Sequence, residues 1–209
     1  MNKHETRNAQ DLKPETCNMK LSELFSLSEF TESATARKHG IDNTPPQEAV
    51  DNLKALCQGS LEPLREKLGL PVVITSGFRT KALNDKLAHS SERSQHMQGC
   101  AADFYIGQSP VSGSRLQVSG GASKVLGDLN LETGDSPMKL ETPRQRLIRA
   151  FREILTNPKI DYDQLILYPS FIHVSYVSRE RNRRTILLGM RNGKLGYGKC
   201  SIQNALKIE

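Results

Sequence analysis

No apolar run in this sequence approaches the ~20 residues that a membrane-spanning helix needs. Residues 1–20 are polar and lack the apolar core of an export signal, so the sequence predicts a chain that is cytoplasmic as synthesised. There is no internal repeat, and the glycine-rich residues 120–124 lack the frame of a phosphate-binding loop. The sequence therefore favours neither a membrane protein, nor a repeat protein, nor a P-loop nucleotidase.

Cysteine is also scarce and shows no pairing pattern. The four cysteines, at positions 17, 57, 100 and 200, lie far apart along the chain. In a cytosolic chain of this size, such spacing is typical of free thiols rather than of a disulfide framework.

The charge is basic, with a formal net charge of +6 and a pI near 9.2. An excess of positive charge favours polyanionic partners such as nucleic acid or an anionic cell wall. The one dense basic cluster, residues 179–184, has no interleaved aromatic residues and is typical of a solvated face or turn. Nucleic-acid binding is therefore a minor alternative.

The predicted helices and the run of strands over residues 163–200 predict an α+β fold: a small antiparallel sheet with helices packed on one side. We expect a polar tail over residues 1–20 and a single domain over residues 21–209, with Leu24 and Phe25 as N-terminal anchors. A serine- and glycine-rich stretch, residues 107–141, is predicted to be an inserted loop or lid.

Three helices are predicted. The first covers residues 47–68, begins after Thr44 and the two prolines that follow it, and is kinked near Ser60 by Pro63. The second is short and capped by Thr80, and the third begins at Thr142 and ends at Asn157. Strands are predicted over 71–76, 100–106, 163–168, 171–177, 185–190 and 194–200, the last two joined by an Asn-Gly hairpin turn at 192–193.

The candidate functional residues centre on residues 94–103, which read Ser-Gln-His-Met-Gln-Gly-Cys-Ala-Ala-Asp. His96 precedes Gly99, a residue that permits a tight turn, and Asp103 is set in an apolar strand, where an acid needs a partner or a cation. His173 lies between two apolar residues of a second strand. Two imidazoles and one carboxylate are a usual protein contribution to a catalytic zinc site. Taken singly, each of the three also fits an ordinary loop, core or turn residue.

Cys100, beside Asp103 in this strand, has two readings. It can be a soft metal ligand, or a small buried residue, which the alternation along the strand favours.

The segment resembles the zinc signature of the D-Ala-D-Ala carboxypeptidase family, which shares its fold with the hedgehog signalling domain. That signature has His, six residues, Asp, with Gly three after the His and Ala two before the Asp, and then a distal His, as in His96, Gly99, Ala101, Asp103 and His173. The order of residues 76–79, Ser-Gly-Phe-Arg, is similar to a family stretch whose Arg faces the substrate. The resemblance covers about residues 21–106 and 143–185.

The resemblance implies a hedgehog-like peptidase fold and Zn²⁺ bound by His96, Asp103 and His173. Arg79 is then expected to hold a substrate carboxylate or to stabilise the oxyanion, although a surface ion pair is an alternative. Ser94 or Gln95 can add a hydrogen bond to the substrate.

One position departs from the pattern. Well-studied members have an acidic general base three residues before the second zinc His, where this chain has Ser170. Asp163 is the nearest upstream acid and our candidate base, although it also fits a strand-start acid satisfied by backbone donors. Asp161, Glu180 or an acid of the 107–141 loop are further candidates.

The sequence therefore predicts a zinc metallopeptidase that cleaves amide bonds of peptidoglycan stem peptides, as a D,D-carboxypeptidase or an endopeptidase. A basic chain without an export signal is similar in this respect to a phage or prophage lysin that reaches the cell wall after release. The alternative is a zinc-stabilised binding domain without catalysis.

Overall fold

The structure is a computed structural model that describes residues 19–88, 90–108, 141–191 and 194–208. Within these ranges the chain forms a six-stranded, mostly antiparallel sheet with helices, which is the predicted α+β class. Most of the predicted tail and of the predicted 107–141 loop, and the hairpin turn at 192–193, lie outside the described residues.

The described residues form seven α-helices. In order they are α1 (Leu27–Thr31), α2 (Ala34–His39), α3 (Gln47–Leu56), α4 (Glu62–Leu68), α5 (Lys81–Lys86), α6 (Pro143–Thr156) and α7 (Ile202–Ala205). None of the helices described here is long and apolar enough to cross a membrane.

The strands are β1 (Val72–Ser76), β2 (Ala101–Ile106), β3 (Gln164–Leu167), β4 (Ile172–Ser175), β5 (Thr185–Arg191) and β6 (Lys194–Lys199), in the spatial order β1-β2-β4-β3-β5-β6. One pair departs from the antiparallel arrangement of the predicted sheet, because β3 and β5 are parallel. After β4 the chain crosses β3 and adds β5 on its far side, and such a crossover leaves no local mark in the sequence.

The predicted kink between Gln47 and Leu68 is a π-helical turn, Cys57–Leu61, between α3 and α4. Pro63 lies in the first turn of α4, the part of a helix where proline is best tolerated. The helix ends, as predicted, at Gly69, which is left-handed with φ 63°.

Two details of the N-terminal part differ from expectation. Phe25 is buried and packs edge-on against Phe30, but Leu24 is exposed, and Leu21 is buried in its place. Thr44 does not cap α3; its hydroxyl donates to Asp42 instead. The predicted caps at Thr80 and Thr142 are confirmed, since each side chain accepts a backbone N–H of its helix.

The core lies between one face of the sheet and the helices. Its fully buried members include Phe104 of β2, Val174 of β4, Leu165 of β3, Leu61 of the π-helical turn and Phe151 of α6. Because side chains alternate along a strand, Asp103 and His173, the neighbours of Phe104 and Val174, project from the opposite face of the sheet. The candidate ligands therefore stand on the face that the core leaves open.

Candidate metal centre

Two of the predicted ligands are a cross-strand pair. Asp103 of β2 lies directly opposite His173 of β4 in the antiparallel ladder, so the two side chains share one face of the sheet. The carboxylate Oδ1 of Asp103 is 2.8 Å from Nδ1 of His173. Both residues are partly buried, with side chains 14% and 12% exposed.

His96 reaches the same point from a 3₁₀ turn, Gln95–Gln98, that precedes β2. Gly99 ends this turn in the left-handed region, with φ 72°, and a Cβ there would collide with the backbone carbonyl of Ala49 in α3. The turn can thus press against α3 only because residue 99 is glycine. As a result, His96 is buried and points across the start of β2.

Two of the three separations between the ligand atoms match a tetrahedral zinc site, and the third, 2.8 Å between Asp103 Oδ1 and His173 Nδ1, is a hydrogen-bond distance. His96 Nε2 lies 3.3 Å from His173 Nδ1 and 3.4 Å from Asp103 Oδ1. Two ligands of a tetrahedral ion, each about 2.1 Å from it, are about 3.4 Å apart. Among the described residues, this is the group of side chains that could hold a metal ion, and its chemistry of two imidazoles and one carboxylate fits Zn²⁺.

A backbone carbonyl orients the ring of His96. Nδ1 of His96 is 2.7 Å from the carbonyl oxygen of Gly77, so Nδ1 carries the proton and donates it there. This leaves the lone pair of Nε2 facing Asp103 and His173. Such an outer partner fixes the tautomer of a metal-binding histidine, and a backbone carbonyl has no signature in sequence.

The electrostatics favour the metal-binding protonation state at two of the three residues, His96 and Asp103. Burial lowers the pKa of His96 below its ordinary value, which favours the neutral ring. Burial raises the pKa of Asp103, but the neighbouring His96 and the hydrogen bond from His173 outweigh it and hold that pKa well below its usual range. A neutral imidazole and an ionised carboxylate are the ligand forms.

Arg79 holds the second oxygen of the same carboxylate. Its Nη2 is 3.1 Å from Asp103 Oδ2, and Nε and Nη2 both donate to the hydroxyl of Ser76. The Arg79 side chain is 15% exposed, so its ion pair, the alternative considered from the sequence, is partly buried and not on the surface. The contact turns Oδ1 of Asp103 toward the histidines and leaves the guanidinium beside the group.

Gln95 and Ser94, the predicted substrate contacts, lie next to the group without joining it. The Gln95 amide donates to Asp163 Oδ2 at 2.9 Å, and Ser94 begins the 3₁₀ turn. The side chain of Gln95 thus ties the turn that carries His96 to the start of β3.

Asp163 is engaged elsewhere than at the metal group. Its carboxylate is buried and accepts from Gln95, from the backbone N–H of Arg183 and from both Nε and Nη2 of the Arg183 side chain. Burial raises the pKa of Asp163, but the hydrogen bonds from Arg183 outweigh it and lower that pKa. These contacts give Asp163 the role of an anchor, and its assignment as general base stays a prediction.

The other acids considered as a base are also engaged. Asp161 is buried and accepts from Arg184 and Asn182. Glu180 is exposed, and a hydrogen bond from the backbone N–H of Glu180 lowers its pKa. Ser170 lies exposed in the two-residue turn between β3 and β4, and the acids within 109–140 lie outside the described residues.

The basic cluster 179–184 has a structural function that its sequence did not reveal. Arg183 and Arg184 pair with Asp163 and Asp161, two acids that lie 20 and 23 residues earlier in the chain. The cluster is therefore only partly the solvated face that was expected. Cys57, Cys100 and Cys200 are free, and Cys100 is buried beside the site without joining the metal group.

Comparison with known proteins agrees with this arrangement. The model of the peptidase M15 family matches residues 23–122, a range that includes Arg79, His96 and Asp103. No curated protein matches the chain.

Proposed function

We propose that this chain, a member of the peptidase M15 family, is a zinc-dependent peptidase that hydrolyses amide bonds of peptidoglycan stem peptides, as a D,D-carboxypeptidase or an endopeptidase. The observation that carries the proposal is the convergence of His96, Asp103 and His173, whose ligand atoms lie within 4.8 Å of one another. A family match to peptidases and a zinc-type donor set support the same reaction class.

Zinc bound there would polarise the scissile carbonyl and lower the pKa of bound water towards ~7. His96 Nε2, His173 Nδ1 and Asp103 Oδ1 would hold the ion, leaving a fourth position for water or substrate. Their second contacts, Gly77 and Arg79, would keep the ligands aligned.

Arg79 has two tasks in this proposal. Its contact with Asp103 positions a ligand, and its guanidinium lies at the edge of the group, where a developing oxyanion or a substrate carboxylate would sit. A planar guanidinium suits either anion, since it donates several N–H groups in one plane.

One observation favours the second candidate function, a zinc-stabilised binding domain. Ser170 stands where well-studied members have the general base, and the described acids Asp163 and Asp161 are paired with arginines. Loss of a general base typically lowers the rate by about 10²–10⁴-fold. A slow or absent turnover with bound zinc would favour this function.

The deciding experiment measures zinc content and amide-bond hydrolysis of purified muropeptides together. We expect the wild-type protein to hold one zinc ion and to release amino groups from the muropeptides. His96→Ala should lose both zinc and activity, because it removes a ligand. Arg79→Ala should keep zinc and turn over about 10–100-fold more slowly, since it removes an outer partner of the ligand Asp103.

His39→Ala is the matched control, because His39 is an exposed histidine at the end of α2. It should leave zinc content and activity unchanged. Stoichiometric zinc in His96→Ala would show that the ligand assignment is wrong. If the wild type bound zinc but did not hydrolyse muropeptides, the zinc-stabilised binding domain would be the correct function.

We further propose that the protein acts on the cell wall after release, as a lysin does. The formal net charge of +6 supports this proposal, because a basic protein is attracted to an anionic polymer. Salt-sensitive binding to isolated cell walls would test it.

A further inference from the structure

A row of aromatic side chains runs beside the candidate metal centre. Tyr105 lies two residues beyond Asp103 on β2, and Phe171 lies two residues before His173, immediately before β4. Residues two apart on a strand project from the same face, about 6.6 Å apart along the strand. Tyr105 and Phe171 therefore stand on the open face, one step from the two ligands.

Tyr168 extends the row onto the next strand. The N–H of Tyr168 donates to the carbonyl of Phe171, which closes the turn between β3 and β4. The rings of Tyr168 and Phe171 are stacked, with centroids 4.2 Å apart and planes 13° from parallel. The three residues Tyr105, Phe171 and Tyr168, in that order across β2, β4 and β3, are called the aromatic row below.

Gly189 of β5 makes room for the Tyr168 ring in this row. Leu167 pairs with Leu188 in the parallel ladder, so the next residues, Tyr168 and Gly189, lie side by side. A Cβ at position 189 would collide with the ring of Tyr168. Glycine at this position lets the Tyr168 ring lie over β5 instead of standing away from the sheet.

Among the side chains that the structure describes, the row holds three of the four aromatic residues that are not buried, the fourth being Tyr176. Six phenylalanines and five tyrosines are the only aromatic residues, because the chain has no tryptophan. Phe25, Phe30, Phe78, Phe104, Phe151 and Tyr162 are buried. Tyr105 is 41% exposed, while Tyr168 and Phe171 are partly exposed. Accessible aromatic rings grouped beside a reaction centre are typical of a binding surface.

We infer that the aromatic row binds the saccharide of peptidoglycan, the N-acetylhexosamine rings to which a stem peptide is attached. The inference rests on the proposed function, in which the stem peptide lies at the metal centre. A pyranose ring has a flat C–H face that stacks on an aromatic ring, and tyrosine hydroxyls can bond its hydroxyl groups.

The row lies on the side of the ligands that faces the β3–β4 turn, whereas Gln95 and Asp163 lie at the opposite end of these strands. This places the saccharide subsite and the Gln95 contact on opposite sides of the ligands. A substrate spanning the site would have its sugar at the aromatic end and its peptide across the metal centre.

The test compares muropeptides that carry their disaccharide with the same peptides after enzymatic removal of the disaccharide. Tyr105→Ser is the main variant, because its exposure makes it tolerant of substitution. We expect KM for the disaccharide-linked substrate to rise at least several-fold, with KM for the free peptide and zinc content unchanged. Ile202→Ser, at an exposed apolar residue of α7, is the control and should change neither.

A second readout does not depend on hydrolysis. Titration calorimetry with the isolated disaccharide should show binding that Tyr105→Ser and Phe171→Leu weaken. Equal KM values for the two wild-type substrates, together with no disaccharide binding, would overturn the saccharide site while leaving the peptidase intact. Binding that depends on Tyr105 without any hydrolysis would support the saccharide site and count against the proposed function. If Tyr105→Ser raised KM equally for the disaccharide-linked substrate and for the free peptide, the row would have only a structural role and the inference would be overturned.

Discussion

Asp163 illustrates how a buried charge is accommodated in this molecule. The carboxylate is 1% exposed, and Arg183, whose side chain is 60% exposed, covers it from the solvent side. The buried acid is thus neutralised by a residue that remains hydrated, which avoids the large desolvation penalty of a fully buried pair. Gln95 extends this contact to the turn that carries His96.

We expect Asp163→Asn to lower the free energy of unfolding at neutral pH by about 1.5–3 kcal/mol, because it removes hydrogen bonds to a charged group. The folded-state pKa lies below the ordinary 3.8, so the ionised carboxylate stabilises the fold above pH ~4, and this stabilisation is lost as the pH falls through the lower folded value. Denaturant unfolding between pH 7 and pH 3 should therefore show a smaller difference between variant and wild type at the acidic end.

Asp51→Asn is the control for this change. Asp51 lies on the exposed side of α3 and pairs with Lys54 at 3.5 Å, a kind of contact that contributes little. A difference between Asp163→Asn and wild type that stays constant down to pH 3 would contradict the anchoring role. Unaltered turnover in Asp163→Asn would eliminate it as a general base.

The residues that sequence could identify are those whose chemistry is unusual for their place. An acid in an apolar strand and a histidine between apolar neighbours, Asp103 and His173, are of this kind, and the structure brings them together with His96. The partners of these groups were not predictable. Gly77 acts through its carbonyl, which every residue has, and the pairing of Arg183 with Asp163 depends on how distant strands are arranged.

At the scale of elements, the 3₁₀ turn before β2 is fixed by a single backbone conformation. Gly99 ends it with a positive φ, and its Cα faces the backbone of α3. Gly40, which ends α2 with φ 60°, has the same conformation, but a Cβ added there would meet nothing within 4 Å. The two glycines separate the effect of backbone strain from the effect of close packing.

Gly40→Ala should lower the free energy of unfolding by about 1 kcal/mol, the approximate cost of the left-handed conformation. Gly99→Ala should lower it by clearly more than that and should weaken zinc binding, because the Cβ must displace the turn from Ala49. Thermal unfolding and zinc titration of both variants check this prediction. Equal effects of the two substitutions would show that the contact with α3 does not hold His96 in place.

Element boundaries were predictable where local chemistry sets them. Thr80 and Thr142 cap helices at the predicted places, and Gly69 ends one. The direction of β5 was not predictable, because strand pairing is decided by how the chain crosses β3 rather than by the residues of β5. The same limit hid the aromatic row, whose members come from three strands.

At the scale of the whole molecule, the candidate metal centre joins parts of the chain that are 70 residues apart, Asp103 and His173. An ion bound only by the folded state raises stability by mass action, by about 2.7 kcal/mol when free zinc is 100 times its Kd. For a protein of 209 residues this corresponds to a rise in Tm of about 5–10 °C. Chelation should reverse the rise.

Calorimetric scans of chelated and zinc-loaded protein measure this shift, with His96→Ala as the variant that should show none. A similar zinc-dependent shift in His96→Ala would mean that the ion stabilises the protein from another place. If zinc did not change the Tm of the wild-type protein, the assignment of the metal centre would be contradicted.

Asp103 and His173 lie opposite each other on β2 and β4, so metal binding depends on the correct alignment of these two strands. If β4 slipped by one residue against β2, His173 would turn toward the helices and its place would be taken by Ile172 or Val174, which have no lone pair to offer. A misaligned chain could therefore pack apolar residues and still fail to capture the ion. Zinc present during refolding would selectively trap the correctly aligned sheet.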